Sequence, residues 1–446
     1  MANISQATLD ILHKLTKAGF EAVIAGGWVR DMIIGTPSKD IDIATSAKIE
    51  DIQQLFDNVK VVGRDFGVSL VKHLDEEFEV AVFREDGEYL DGRHPSSVRF
   101  CSMKEDAQRR DLTMNALFYD PFNNKVIDFV NGKEDINNKI ARFVGDSSKR
   151  IAEDHIRILR ILRFANRFNF SIDGLSYNAC FNNSSLLANT AKERLALEMD
   201  KILSQCSSEV FEYMRQTNVL NIILPELLDM IGCEQPPQFH PEGDVWNHTM
   251  LALDEVKKLE PSLEVLWATL LHDVGKPSVR VWDEKDKRFR FNRHEKKSVD
   301  IAKDILSRLK FSNHFQDRVC DLIGDHMRFA TVSKMKTSKL KRFIYRSHFD
   351  DHIKLHTADC MSSHGKLDNR EFILKKVIEF LNEQPNPGIG MPKPLISGTD
   401  LINLGLEPGP KFKDILEACM DAQLENNWKD KTDAYMFLLS FINSQK

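Results

Sequence analysis

The hydrophobic periodicity changes near residue 105, and that change limits what this chain can fold into. Before it, short apolar runs alternate at strand spacing between glycine-rich turns. After it, apolar residues recur at helical spacing and continue to do so. A chain ordered this way reads as α+β, with a small mixed sheet first and a mostly helical remainder. Within the first part, the first 20 residues read as an amphipathic helix carrying Leu9, Ile11, Leu12 and Leu15 on one face. "EAVIAGG" reads as a buried strand ending in glycines, "VRDMIIG" as a helix running to Gly35, and "DIDIAT" as a second strand. "FGVSLVKH" and "FEVAVF" form a candidate hairpin, and 84–100 a loop. In the second part "EDHIRILRILRFANRF" and "AKERLALEMDKIL" are the clearest helices. Punctuation at 234–244 and 384–394 marks a boundary and a linker, so the expected domains are 1–145, 146–233 and 234–446.

With 446 residues the chain can bury several cores. No apolar run approaches the roughly 20 residues that cross a bilayer, and the N-terminus lacks the plan of a signal peptide. The 7 cysteines are scattered, with no C-x-x-C pair, which fits reduced thiols in a cytoplasm. A net charge of −6 argues against a surface that coats nucleic acid all over, while leaving room for a local basic groove.

Asp40 and Asp42 stand one residue apart in "KDIDIATSA". On a strand they share a face, while Ile41 and Ile43 turn to the core. Two adjacent carboxylates make a hard-oxygen site suited to Mg²⁺, which keeps waters and takes substrate phosphates as further ligands. A solvated edge strand would also tolerate them. The stretch upstream favours the first reading. Gly26 and Gly27 fall at a strand-to-helix turn where backbone N–H groups can approach a phosphate, and Arg30 in the first turn can clamp its oxygens.

"GGWVRDMIIGTPSKDIDIAT" resembles the signature of the class II tRNA nucleotidyltransferase and bacterial poly(A) polymerase family, part of the polymerase-β-like nucleotidyltransferases. The pattern continues through "RRDLTMNAL", "EDHIRILRILRF" and "ERLALE", and "LISGTDLINLGLEPGPKF" resembles the tail of bacterial members. The resemblance implies a polymerase-β-like head over 1–145, a helical neck that selects the nucleotide over 146–233, and Arg110 and Asp111 as contacts to nucleotide and ribose. Asp111 also fits a helix cap. Asp154, Arg157, Arg160 and Arg163 recur every three residues, so neighbours share a helix face. A carboxylate accepts from the exocyclic amino group of cytosine or adenine, and a guanidinium donates to the adjacent ring nitrogen. Uracil and guanine present the reverse polarity. An Asp154–Arg157 pair can therefore admit C and A without a nucleic-acid template, leaving Arg160 and Arg163 for phosphates. A solvated basic face is the plain alternative. Arg194 and Glu198 read as an intrahelical pair, on a helix that the resemblance makes a brace for the base-reading one. Glu79 on "FEVAVF" is a candidate third carboxylate. Within the family, a full-length 84–100 loop goes with completing the terminal A.

His248, His272, Asp273, His294, His326 and Asp359 follow in the order of the HD metal-dependent phosphohydrolases, which "TLLHDVGKP" resembles. The resemblance implies an all-α HD domain over 234–446 that holds a second divalent metal (Mn, Ni, Fe or Mg) and cleaves a phosphate ester. The basic stretch 333–346 fits either an RNA backbone contact or a solvated helix face.

Taken together, these features predict a cytoplasmic, Mg²⁺-dependent enzyme that uses CTP and ATP to add CMP and AMP to the 3′ end of tRNA, with neither DNA nor membrane as a partner. An A-adding enzyme or poly(A) polymerase is the alternative within the class. Outside it stand an HD phosphohydrolase whose N-terminal half docks RNA, and a non-catalytic RNA-binding module.

Overall fold

The structure is a computed structural model that describes residues 4–38, 40–63, 67–87, 97–382, 391–425, 428 and 430–444. Lys39, most of the 84–100 segment and residues 383–390 of the expected linker lie outside the described residues, and with them the expectation that rested on the loop's length. The chain divides into two compact units, 1–228 with 308–311, and 229–307 with 312–446.

The first unit opens with α1 (Gln6–Lys17), capped by the Ser5 side chain and burying Ala7, Ile11, Leu12 and Leu15, while Leu9 lies only half in. The sheet begins with β1 (Ala22–Ala25), followed by α2 (Gly27–Ile34), β2 (Asp42–Thr45) and α3 (Ile49–Leu55). Then come β3 (Val59–Gly63), β4 (Val68–His73) and β5 (Glu76–Val82). The β4–β5 hairpin forms as the alternation predicts. Its two-residue turn, Leu74–Asp75, has positive φ at both positions, which matches the strand twist.

The 84–100 segment differs from a plain loop, because β6 (Arg84–Asp86) pairs antiparallel with β7 (Val98–Phe100). Beyond α4 (Met103–Arg109) the helical pattern is interrupted by β8 (Leu117–Asp120) and β9 (Lys125–Asp128). These two strands complete a seven-stranded sheet of order β3-β4-β5-β2-β1-β8-β9, in which only β2 and β5 run parallel. Their signal was present: two short apolar runs flank a turn in which Asp120 accepts from the backbone of Phe122 and Asn123.

The strand carrying the aspartate pair is shorter than expected. β2 starts at Asp42, so Asp40 and the half-buried Ile41 precede it, and in mid-sheet Ile43, Ala44 and Thr45 are all buried. After α5 (Gly132–Asn137), the helix predicted over 153–168 breaks in two. α6 (Ser147–Glu153) ends at Asp154, whose backbone is extended, and α7 (Arg157–Phe168) starts three residues later. Asp154 therefore does not share a helix face with the arginines. α7 buries Ile158, Leu159, Ile161 and Leu162 completely, each contributing about 1.5–3 kcal/mol. α8 (Gly174–Asn183), α9 (Lys192–Gln205), α10 (Glu209–Gln216) and α11 (Val219–Ile223) complete this unit's main helices.

The second unit is helical. α12 (Val245–Lys257), α13 (Leu263–Leu271), α16 (Asn313–Asp325) and α18 (Phe349–Met361) pack on one another. α14 (Lys276–Val279), α15 (His294–Arg308), α17 (Thr337–Ile344) and α19 (Asp368–Asn382) join them, and a short hairpin pairs 281–283 with 288–290. A separate small core around Ile396, Leu401, Cys419, Ala434 and Leu438 holds the last three helices.

Candidate active sites

In the first unit a cavity of about 830 Å³ gathers Asp40, Asp42, Gly26, Gly27, Arg30, Arg110, Asp111, Asp154, Arg157, Arg160 and Arg163. Strand register explains the proximity. Ala25 pairs with Asp42, which sets the Gly26 turn beside the carboxylate, and Ile43 pairs with Val80, which sets Glu79 next to it from the other side. Gly26 has φ +70°, a conformation that favours glycine, and a Cβ there would crowd Arg110 Nη1 at 3.1 Å.

Asp42 is open to the cavity yet hemmed in by protein. Burial, then Glu79, and more weakly Asp40 push its carboxyl up to about 6, against the pull of Arg110. The folded protein thus binds a proton there that the unfolded chain releases near pH 4. Stability from this group is present below about pH 4 and lost as pH rises through 6. In chelator, Asp42→Asn is expected to melt above wild type at pH 7.5, with the gap closing as pH falls to 4. A constant gap across thermal melts would contradict this.

The arginines are less free than their spacing suggests. Arg30 is buried, bonded to Asp31 (2.8 Å) and Asn115 (2.6 Å), with its guanidinium 4.8 Å from the rings of both Phe164 and Phe168. It stands as a brace between α2 and α7 rather than an open clamp. Arg163 is likewise buried, on Glu198 (2.6 Å) and Gln205 (3.0 Å). Arg160 Nε reaches Asp111 Oδ2 at 2.7 Å, and Asp111 Oδ1 accepts from Leu112 N and Asn115. Burial raises the Asp111 carboxyl, but Arg160 outweighs it and holds the group well below the usual range. Arg110 is set by Asp106 (3.1 Å) and by the Asn115 carbonyl (3.2 Å).

Asp154 and Arg157 both reach the cavity; the Arg157 backbone N–H bonds the Asp154 carbonyl (3.0 Å), but their side chains take other partners. Arg194 grips Asp154 with two bonds of 2.9 Å. Arg157 donates to Glu153 (2.7 Å) and to the carbonyls of Arg150 (2.9 Å) and Arg109 (3.2 Å). The Arg194–Glu198 pair expected within α9 is replaced by these two links to the neighbouring chain segments. Glu79, Asn115, Arg194 and Lys201 line the same cavity; Glu79 was a candidate third carboxylate and Asn115 and Arg194 fall within quoted motifs, whereas Lys201 had no sequence signal.

In the second unit the six HD positions converge. His248 and His272 approach Nε2 to Nε2 at 3.3 Å, His294 and His326 at 3.1 Å, and Asp359 Oδ1 lies 3.1 Å from His248. Asp273 Oδ1 is buried with no donor among the described residues, although His294 Nε2 lies only 3.3 Å away. An orphan carboxylate oxygen ringed by imidazole nitrogens is what a divalent cation satisfies. Burial and the neighbouring His272 and His294 push His326 down to about 3, keeping it neutral as a ligand must be. Lys276 bonds Asp273 at 2.6 Å at the edge of a cavity of about 570 Å³. A further cluster, Asp321, Asp325 and His352, is already balanced by Arg346 and Arg328. Of the basic stretch 333–346, Lys341 lies buried on Phe380, and Arg342 and Arg346 are paired with aspartates. Lys334, Lys336 and Lys339 remain exposed.

Residues 22–142 match the poly A polymerase head domain, 169–231 the probable RNA and SrmB-binding site of polymerase A, and 245–357 the HD domain. The CCA-adding enzyme of Streptococcus agalactiae is 41% identical over 412 residues, covering 92% of this chain and 90% of that one. That of Streptococcus pneumoniae is 30% identical over 438 residues, covering 97% and 96%. The chain belongs to the CCA-adding enzyme family. The fold agrees: the Bacillus stearothermophilus CCA-adding enzyme, solved in complex with CTP, superposes with a TM-score of 0.75 at 24% identity, covering 99% of this chain and 98% of that one. In this chain the matched head segment holds the aspartate pair, the glycine turn and Arg110. The matched HD segment holds His248, His272, Asp273, His294 and His326, with Asp359 two residues beyond it. Both domain types depend on divalent metal. Among the described residues no helix is long and apolar enough to cross a membrane.

Proposed function

We propose how the first-unit cavity works as the active site of a CCA-adding tRNA nucleotidyltransferase. Asp42 and Asp40, with Glu79 beside them, hold Mg²⁺. The observation that carries this is the placement of Asp40, Asp42 and Glu79 together on one cavity wall beside the Gly26 turn, a surplus of negative charge that a cation relieves. The ion supplies charge neutralisation for the triphosphate and acidifies the attacking hydroxyl. The remaining work falls to the protein. Gly27 at the start of α2 offers its backbone N–H to the phosphates, while the Gly26 N–H is held by the Leu117 carbonyl (2.9 Å). Arg110, preset by Asp106, adds a cation, and Arg160 and Lys201 extend the positive side of the cleft. Asp111, fixed by Arg160, keeps an oxygen lone pair for a ribose hydroxyl. Asp154 and Arg157 read the base. The 3′-hydroxyl of tRNA gives up its proton to water and attacks the α-phosphorus; a P–O bond forms, and pyrophosphate leaves with the electrons of the broken P–O bond.

CTP and ATP as substrates are supported by the base-reading polarity and by the relatives' activity. Mg²⁺ as the ion, action in the cytoplasm, and a head, neck and HD division at about 145 and 233 belong to the same reading. The HD cluster is a second, phosphohydrolase centre, supported by the orphan Asp273 oxygen. With a tRNA ending at its discriminator base, CTP alone is expected to add two residues and CTP with ATP three, while UTP and GTP add none. Addition of A alone, or an unlimited A tail, would replace this reading with the A-adding or poly(A) alternative. No extension at all, with ester cleavage retained, would leave the phosphohydrolase.

A further inference from the structure

The four histidines of the HD cluster are not oriented alike. His272, His294 and His326 each donate Nδ1–H to a backbone carbonyl three residues earlier, those of Thr269 (2.8 Å), Phe291 (2.8 Å) and Ile323 (2.7 Å). All three stand at helix ends, where carbonyls are released from the helical ladder or belong to the preceding turn. A carbonyl only accepts, so each ring carries its proton on Nδ1 and turns the Nε2 lone pair inward. His248 is placed differently. It lies in the first turns of α12, and its own backbone N–H bonds the Asp244 carbonyl. Its Nδ1 turns instead to Glu242 Oε1 at 2.7 Å, with Ser362 Oγ at 3.3 Å.

Glu242 is unusual in its own right. Its side chain is 6% exposed, one oxygen serves both His248 and His240 (2.8 Å), and Oε2 is buried without a donor among the described residues. A buried anion placed behind one imidazole of a ligand set fixes that ring's tautomer and raises its basicity, more strongly than a neutral carbonyl does. We propose that Glu242 is the positioning residue of the HD metal centre, the anionic outer partner that aims His248 Nε2 at the ion. His248 is then the most strongly donating of the four imidazoles. The inference rests on the reading of this cluster as a metal site, and no step of the transferase depends on it.

The test is divalent-metal affinity. Glu242→Gln and Glu242→Ala are made in the full chain carrying Asp42→Ala, so that the head carboxylates do not compete for the ion. Each protein is stripped with chelator and titrated with Mn²⁺ by equilibrium dialysis, and with Co²⁺ by visible absorption. Relative to the parent, Ala is expected to bind Mn²⁺ about 10- to 100-fold more weakly. Gln keeps the shape and an accepting oxygen but loses the charge, and is expected to fall between them. The Co²⁺ band should shift in both variants, because one imidazole ligand changes basicity. Metal-free melting checks the fold. If Ala fails to fold, the isosteric Gln variant decides alone. Affinities within twofold of the parent for the folded variants would overturn the role of Glu242 and leave the metal site standing. A parent that takes up no metal overturns both.

Discussion

Asp42→Ala is expected to reduce CMP incorporation about 1,000-fold or more while the protein stays folded. A loss of that size corresponds to about 4 kcal/mol of transition-state stabilisation, the scale on which a metal clamp on a transferring phosphoryl group operates. The fold should survive because the sheet does not depend on this carboxyl. Asp42 begins β2 at the cavity edge, and the buried positions that hold the strand are Ile43, Ala44 and Thr45. Its charge is a strain on the metal-free fold, since burial and Glu79 oppose ionisation. The variant should therefore melt no lower than wild type in chelator. Single-turnover incorporation with excess enzyme separates the chemical step from tRNA binding. Turnover within tenfold of wild type would remove the aspartate pair from the mechanism.

The sequence made the ends of this argument legible and hid its middle. Residues at i and i+2 are a local pattern, so the pairing of Asp40 with Asp42 near the glycine turn was readable even though β2 turned out to start two residues late. The HD positions were readable because each sits in a short motif. The arginines were not. Arg194 pairs with Asp154, Arg160 with Asp111 and Arg163 with Glu198. Each partner is tens of residues away, whereas spacing along one helix proposes only local partners. The same reason hid the place of β8 beside β1, which is fixed by pairing across about ninety residues of chain, although the β8–β9 hairpin had a local signal. The break at Asp154 was hidden differently. Its sequence continues the helical period without a proline or glycine, and the helix is interrupted where Arg194 draws the Asp154 carboxylate across to α9.

That break bears on the second large effect, loss of base choice. Arg194 uses one lone pair on each Asp154 oxygen, and a carboxylate offers about four such sites. The clamp therefore fixes the carboxylate without saturating it. Arg157 commits Nη1 to Glu153 and the Arg150 carbonyl and one Nη2 hydrogen to the Arg109 carbonyl. Of its five N–H groups, Nε–H and the second Nη2 hydrogen have no partner here among the described residues. Both readers are thus held rigid before a base arrives, one with acceptors and one with donors to spare, so little ordering is left to oppose binding. Asp154→Asn keeps the shape but adds an N–H that can meet the carbonyl of uracil or guanine. It is expected to lower the preference for CTP over UTP about 10- to 100-fold, since a mismatch no longer leaves polar groups unpaired at about 1–3 kcal/mol each. Arg157→Ala should relax choice in the same direction, and it should also lower the melting temperature, because three acceptors lose their donor. Competition between CTP and UTP at equal concentration reads the ratio directly. If Asp154→Asn discriminates as wild type does, the base is chosen by other groups in the cleft, and the rigid pair at its wall is only scaffolding.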